Sequence, residues 1–444
     1  MTETASHTLE RVEAASSRLD VYVGPRKVGL LERHGVTGSI FAYLPEAGPG
    51  DFASLLMPVT RESYSDSRGL IAVFQQNLPE GFMRRKMVER FGKVLATDDF
   101  MLLALTGSDT IGRVRVVPSG FQVDWHKPLH VELKKLMDDN QAGALFQDLL
   151  SQYIGQGVSG ALPKVLASPR ERATIHDDQW ILKYAGDDTP SLAVNEYFTM
   201  RAAGLAGMST PLCKLSEDGR VFGIQRFDTD EKGSMVGMED FCSLLALSPE
   251  LKYRGTLERV FKAIDAFTIG PQRVRAKEEM VNSQIFAMAS RNTDAHLKNF
   301  GLCYTGIQDV RLAPIYDMVT TMAYPQYRSD VQAMSIGGKK LTGIDKTFLR
   351  FAQERAGLSQ RAIKEMAQRS AAALEQVCGE LSDYGAEHPR HAAVCAEMAK
   401  QWEIGIRMLD SYAGRAAPKP AQDSNSKLAE LEVADQDGGG HPSC

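Results

Sequence analysis

Residues 291–299 read Arg291-Asn292-Thr293-Asp294-Ala295-His296-Leu297-Lys298-Asn299, the densest polar run in the second half of the chain, set between an apolar helical stretch and a strand. An Asp followed five residues later by an Asn reproduces the spacing of a phosphotransfer loop, in which the Asp takes the proton of the acceptor hydroxyl and the Asn coordinates magnesium. Asp294 and Asn299 are the candidates for those tasks. Downstream, Phe300-Gly301-Leu302-Cys303-Tyr304 and Val310-Arg311-Leu312-Ala313 read as a β-hairpin inserted among helices. A hairpin returns the chain towards its start, which brings Asp317, in Ile315-Tyr316-Asp317-Met318, back beside Asn299. One amide oxygen and one carboxylate suffice as protein ligands for magnesium, whose octahedron phosphates and water complete. An isolated Asp-x-x-x-x-Asn is common by chance, and an Asp at a helix end is ordinarily a cap, so the assignment rests on what else the chain supplies.

Upstream, two further elements stand in the required order. Lys183 closes the apolar strand Trp180-Ile181-Leu182, and Glu196 follows in the helix over 192–203. A strand lysine that contacts the α- and β-phosphates and pairs with a helix glutamate is the signature of a kinase small lobe. Before it lies Gly155-Gln156-Gly157-Val158-Ser159-Gly160-Ala161-Leu162-Pro163-Lys164, in which Gly155, Gly157 and Gly160 satisfy Gly-x-Gly-x-x-Gly. Helical text precedes these glycines and strand-like text (164–167) follows, the reverse of a dinucleotide-binding turn, so a nucleotide flap between strands fits better.

The 444 residues carry 43 % hydrophobic and 24 % charged residues and a formal charge of −5, which excludes a disordered chain and a polyanion binder. Six cysteines at 213, 242, 303, 378, 395 and 444 form no CxxC pair, which fits a reducing compartment rather than a zinc site. The start is polar without the pattern of a secretion signal, and no run reaches the roughly twenty apolar residues that span a bilayer; a cytoplasmic protein without a membrane partner is expected. Alternation predicts strands over 19–23 and 28–31 around Gly24-Pro25, then strands near 69–74 and 113–117 and helices over 82–92 and 98–105. Amphipathic text covers 126–152. Strands near 180–184, 212–215 and 221–227 follow, then helices over 257–267, 279–291, 346–356, 360–381 and 392–412.

Seven motifs occur in order: Val158-Ser159-Gly160-Ala161-Leu162-Pro163-Lys164, Trp180-Ile181-Leu182-Lys183, Asn195-Glu196, Arg226-Phe227-Asp228, Glu239-Asp240-Phe241-Cys242, Thr293-Asp294-Ala295-His296-Leu297-Lys298-Asn299-Phe300 and Pro314-Ile315-Tyr316-Asp317. In this order the chain resembles the HipA family of serine/threonine kinase toxins, over roughly 19–412; Leu78-Pro79-Glu80-Gly81 and Gly107-Ser108-Asp109-Thr110-Ile111-Gly112 resemble its first subdomain. The resemblance implies an α+β, two-lobed kinase-like fold related to lipid and protein kinases, with a mixed N-terminal subdomain and a mainly helical C-terminal lobe. The boundaries expected are a flexible start (1–18), the N-terminal subdomain (19–120), the small lobe with its flap (121–240), the helical catalytic lobe (241–415) and a disordered tail (416–444).

It further implies transfer of the γ-phosphoryl of ATP, with Mg2+, to a Ser or Thr of a host protein, an aminoacyl-tRNA synthetase in some members. A small helix-turn-helix, HipB-like antitoxin is the implied partner, reaching DNA on the toxin's behalf. Carried over by motif, Asp294 is the base, Asn299 and Asp317 the magnesium ligands, and Lys183, with Glu196 as helix partner, the phosphate contact. His296 and Lys298 lie at the phosphates, Gln225, Arg226 and Phe227 form the hinge against adenine, and Gly157, Ser159 and Gly160 form the flap. Ser159 is an expected autophosphorylation site, although Gly157 replaces a serine of some members and Leu162-Pro163 stiffens the loop. A catalytically weak, antitoxin-binding regulator and a small-molecule kinase remain the alternatives.

Overall fold

The structure, a computed structural model, describes residues 17–91, 98–108, 110–121, 137, 172–176, 180–185, 189–230 and 233–414. The expected flap with Gly155, Gly157, Ser159 and Gly160, the strand at 164–167, almost all of the helical text at 126–152, the tail from 416 and the start before 17 lie outside the described residues.

Leu19, Val21 and Val23 alternate into a core from β1 (Arg18–Val23), the period-2 pattern of a half-buried strand. Gly24, at φ +53°, opens the two-residue connection to β2 (Arg26–His34), a backbone setting that glycine adopts without steric cost. With β3 (Gly38–Tyr43), β4 (Tyr64–Asp66) and β5 (Val114–Pro118) these strands form an antiparallel sheet of order β4-β3-β2-β1-β5. Its buried face packs on α1 (Ala72–Gln75), α2 (Gly81–Phe91) and α3 (Asp99–Thr106), the last capped by Asp98, which accepts from Met101 N at 2.8 Å.

The strand expected at 69–74 is instead the single helical turn α1. Val73, Phe74 and Gln75 are buried in succession, and a short apolar run buried on all sides has no period by which strand and helix can be told apart.

A second antiparallel sheet, of order β6-β7-β9-β8, is built from β6 (Arg172–His176), β7 (Trp180–Ala185), β8 (Cys213–Leu215) and β9 (Val221–Gln225). Helix α4 (Leu192–Leu205) is buried along most of its length because it lies between this sheet and the helical lobe. That lobe begins with β10 (Gly237–Asp240) and α5 (Phe241–Leu244), and β10 pairs with the hairpin β11 (Gly301–Tyr304) and β12 (Val310–Leu312). Around it stand α6 (Leu257–Phe267), α7 (Gly270–Ala289), α8 (Lys346–Ala356), α9 (Gln360–Glu387) and α10 (Ala392–Ala413).

Helix α7 starts nine residues before the 279 expected from periodicity, with Pro271 in its first turn. Its first turns are mostly polar and half-buried or exposed and carry no apolar stripe, whereas residues 280–289 are all buried and make it the central helix of the lobe. Helix α9 likewise runs to Glu387, past the expected 381. Among the described residues no helix is long and apolar enough to cross a membrane.

The N-terminal unit is tied to the lobes by buried polar contacts. Glu239 accepts from Ser54 Oγ (2.6 Å), Leu55 N (2.7 Å) and Tyr304 Oη (2.7 Å). Gln76 donates to the Met238 carbonyl and accepts from Asp240 N, both at 3.0 Å, so its amide completes the edge of β10. These ties place α1 and α2 at the mouth of the cleft between the sheets.

Candidate active site

Strand β7 carries Lys183 to the cleft floor, where its Nζ donates to Glu196 Oε1 on α4 at 2.6 Å and to Asp317 Oδ1 at 2.8 Å. Glu196 is buried and Lys183 nearly so, so each charge is compensated inside the protein. The β11–β12 hairpin returns the chain to bring Asp317 against Asn299, whose Nδ2 donates to Asp317 Oδ2 at 2.9 Å. Asp317 sits at φ +59°, a left-handed setting uncommon outside glycine and best tolerated by Asn and Asp. Asn299 ends a one-turn 3-10 helix, Leu297–Asn299, and its buried Oδ1 has no hydrogen-bond partner among the described residues.

Asp294 lies in the loop that follows α7. Arg291, at φ +58°, turns the chain out of the helix, and Thr293 is held through its N (2.9 Å) and Oγ1 (2.7 Å) by Thr321 Oγ1. Asp294 N donates to Asn292 Oδ1 at 3.0 Å, and Asp294 Oδ1 accepts from the Tyr253 hydroxyl at 2.7 Å. Tyr253 also meets the His296 ring edge to face, with centroids 5.0 Å apart. Burial pushes the His296 imidazole below its usual value, against the opposing pull of the Asp294 carboxylate, so the ring is neutral at pH 7. Its buried Nδ1 has no partner among the described residues.

Lys298 points towards the N-terminal unit. Its Nζ donates to the Gln76 carbonyl at 3.1 Å and to Glu80 Oε1, while Lys252 Nζ holds Glu80 Oε2 at 2.7 Å. Burial works against charge on both sides of this triad, and pairing outweighs it: Lys298 is raised by Glu80 and Asp240, and Glu80 is lowered by Lys298 and Lys252. Asp240 is pushed up to about 6 by burial, with Lys298 offsetting part of the rise. Its Oδ1 caps α5 by accepting from Ser243 N at 2.7 Å.

The opposite end of the cleft is apolar. Ile181, Ile224 and Phe227 line it, and Phe227 stacks on Tyr316 with centroids 5.5 Å apart; the whole cleft encloses about 870 Å³ including its open mouth. Of the three expected hinge residues, Phe227 presents its side chain to this space. The Arg226 guanidinium instead pairs with Asp228 (2.7 Å and 2.9 Å) and the Thr110 carbonyl (3.1 Å), and the Gln225 side chain is exposed.

The structure thus gathers Lys183, Phe227, His296, Lys298, Asn299 and Asp317 around one cleft, with Asp294 behind Tyr253 at its edge. Sequence reasoning missed Glu80, Lys252, Tyr253 and Asp240. Glu80 and Asp240 stand in quoted motifs, Leu78-Pro79-Glu80-Gly81 and Glu239-Asp240-Phe241-Cys242, and that was the available signal. Lys252 and Tyr253 belong to a 3-10 segment, Pro249–Arg254, with no motif to announce it.

A strand sheet over a helical lobe, with a lysine–glutamate pair and an Asn–Asp pair joined through the Lys183–Asp317 contact in the cleft, defines a two-lobed kinase fold. Comparison with known proteins agrees. The HipA-like C-terminal domain matches residues 156–378 and the HipA N-terminal domain residues 19–117. The chain belongs to the HipA family. A Sinorhizobium fredii protein provisionally named a kinase is 29 % identical, over 82 % of this chain and 93 % of its own. The Shewanella oneidensis serine/threonine-protein kinase toxin HipA is 24 % identical, over 73 % of this chain and 79 % of its own. Among solved structures, the Shewanella oneidensis complex of HipA, HipB and operator DNA matches at a TM-score of 0.65 and 19 % identity, covering 89 % of this chain and 99 % of that one.

Proposed function

We propose that this protein is an ATP-dependent serine/threonine protein kinase that arrests growth as the toxin of a toxin–antitoxin pair. The observation that carries the reading is the meeting of Lys183, Glu196, Asn299 and Asp317 at one point of the cleft, with Asp294 one loop away. Adenine fits the apolar end, against Phe227, Ile181 and Ile224, and the phosphates extend towards Lys183.

Asn299 Oδ1, buried and without a partner among the described residues, and the Asp317 carboxylate form a hard-oxygen donor pair that suits magnesium. When bound there, the cation supplies charge neutralisation at the phosphate oxygens. Lys183 exchanges its bond to Asp317 for a phosphate oxygen and stays anchored by Glu196. Neutral His296 offers a donor or acceptor beside the transferred group without adding charge. The acceptor hydroxyl oxygen forms a bond to the γ-phosphorus as the bond from phosphorus to the β–γ bridging oxygen breaks. ADP leaves with the bond electrons, and the hydroxyl proton passes to Asp294.

The toxin reading draws on the name of the Shewanella relative and on the HipB and operator DNA in the solved complex. A helix-turn-helix antitoxin is accordingly proposed as partner, and the acidic balance of the chain suits DNA contact through that partner rather than directly. Ser159 is proposed as an autophosphorylation site, and phosphopeptide mapping after prolonged incubation with ATP and magnesium decides it.

The test of the reading is labelled ATP, magnesium and a host lysate, with wild type and Asp294→Asn side by side. Labelling of a discrete protein on Ser or Thr by wild type alone is expected. Labelling that persists in Asp294→Asn contradicts the assignment of the base, and hydrolysis of ATP without any labelled protein contradicts the protein-kinase reading.

A further inference from the structure

Beside the nucleotide cleft runs a second, solvent-open groove of about 880 Å³, between α2 of the N-terminal unit and the 3-10 segment Pro249–Arg254. The two spaces share a wall, since Glu80 and Lys252 line both. At the inner end of the groove stands Tyr253. Its ring is 38 % exposed and lines the groove, while its hydroxyl donates to Asp294 Oδ1 at 2.7 Å. A hydroxyl that reaches Asp294 Oδ1 along the groove therefore takes the place of another hydroxyl, the phenol of Tyr253.

The walls are polar and largely neutralised from within: Arg84 pairs with Asp99 at 2.7 Å, and Glu80 holds Lys252 at 2.7 Å. Both cations among the described lining residues, Arg84 and Lys252, are thus paired within the protein, which suits a phosphorylated metabolite poorly. Leu78 and Pro79 add an apolar strip. Glu250 is exposed and makes no hydrogen bond or ion pair among the described residues, which leaves the groove one uncompensated negative charge. The groove is open to solvent and framed by two folding units, a setting that suits an extended peptide.

We propose that this groove is the acceptor site, taking an extended protein segment whose serine or threonine hydroxyl displaces Tyr253 from Asp294 while a neighbouring Lys or Arg is drawn to Glu250. The inference rests on the assignment of Asp294 as base. The displacement exchanges one hydroxyl–carboxylate hydrogen bond for another, so it costs little, and it keeps the base covered until an acceptor arrives.

The experiment uses the full chain, labelled ATP and arrayed peptides with a central Ser or Thr and varied flanks. Wild type is expected to favour Lys or Arg at a fixed flanking position. Glu250→Lys removes that preference and raises KM for the preferred peptide about tenfold, with KM for ATP unmoved. Tyr253→Phe, which deletes the competing hydroxyl, lowers the peptide KM roughly threefold. A basic preference that survives Glu250→Lys, or a fall in kcat with unmoved peptide KM in Tyr253→Phe, overturns the acceptor groove while leaving the protein-kinase reading intact. Absence of any labelled peptide together with Asp294-dependent labelling of a small hydroxyl metabolite overturns both.

Discussion

Lys183 is bound to two carboxylates at once, and one of them, Glu196, is 1 % exposed. Lys183→Met therefore removes the proposed phosphate contact and strands a buried carboxylate. ATP affinity is expected to fall at least about tenfold in calorimetry, and unfolding free energy by about 3 kcal/mol in denaturant titration. Asp317→Ala is expected to abolish the magnesium dependence of nucleotide binding while leaving weak metal-free binding, read by titrating nucleotide with and without the cation. These residues were legible in the sequence because their spacing is local: five residues from Asp294 to Asn299, and a strand followed by a helix for Lys183 and Glu196. Tyr253 reaches Asp294 across 41 residues and Glu80 reaches Lys298 across 218, and no local pattern encodes such contacts.

At the scale of elements, helix α7 delivers the Asp294 loop, and its last turn is gripped by α10. A Cβ on Gly405 would lie 1.8 Å from the Ala289 carbonyl oxygen, so the two helices approach at a distance only glycine allows. Gly405→Ala is expected to cost about 2 kcal/mol or more in unfolding free energy and to lower kcat with it, because the strain falls two residues before Arg291. A stable variant with unchanged kcat would show that α10 does not set the loop. Amphipathic helices were legible with their ends, as in α6 and α8, because an apolar stripe and a cap coincide at Thr256 and Asp345. Strands β3 and β10 were not: β3 passes through Gly38-Ser39 before its apolar residues, and all four residues of β10 are buried, so neither shows clean alternation.

For the whole molecule, the triad of Glu80, Lys252 and Lys298 couples the N-terminal unit to the loop that holds Asn299. The Glu80 carboxyl is held below its ordinary value of 4.5, because Lys298 and Lys252 outweigh burial. A depressed acid stabilises the fold above the unfolded-state value and loses that contribution as pH falls through the folded-state value. Glu80→Gln is therefore expected to lower Tm most near pH 7, with the gap to wild type closing as pH drops below about 4.5. A gap independent of pH would show that Glu80 acts by packing and not by charge. The lobed architecture was legible from the order of motifs; the docking of the N-terminal unit onto the cleft was not, since it depends on buried pairs between distant segments.

The most direct measurement is the single-turnover rate of phosphoryl transfer to a labelled acceptor for wild type and Asp294→Asn, with ATP affinity determined on the same samples. The account predicts a loss of about a thousandfold in rate with ATP affinity within about threefold of wild type. Transfer at an undiminished rate, or a rate lost only in step with ATP affinity, would contradict it.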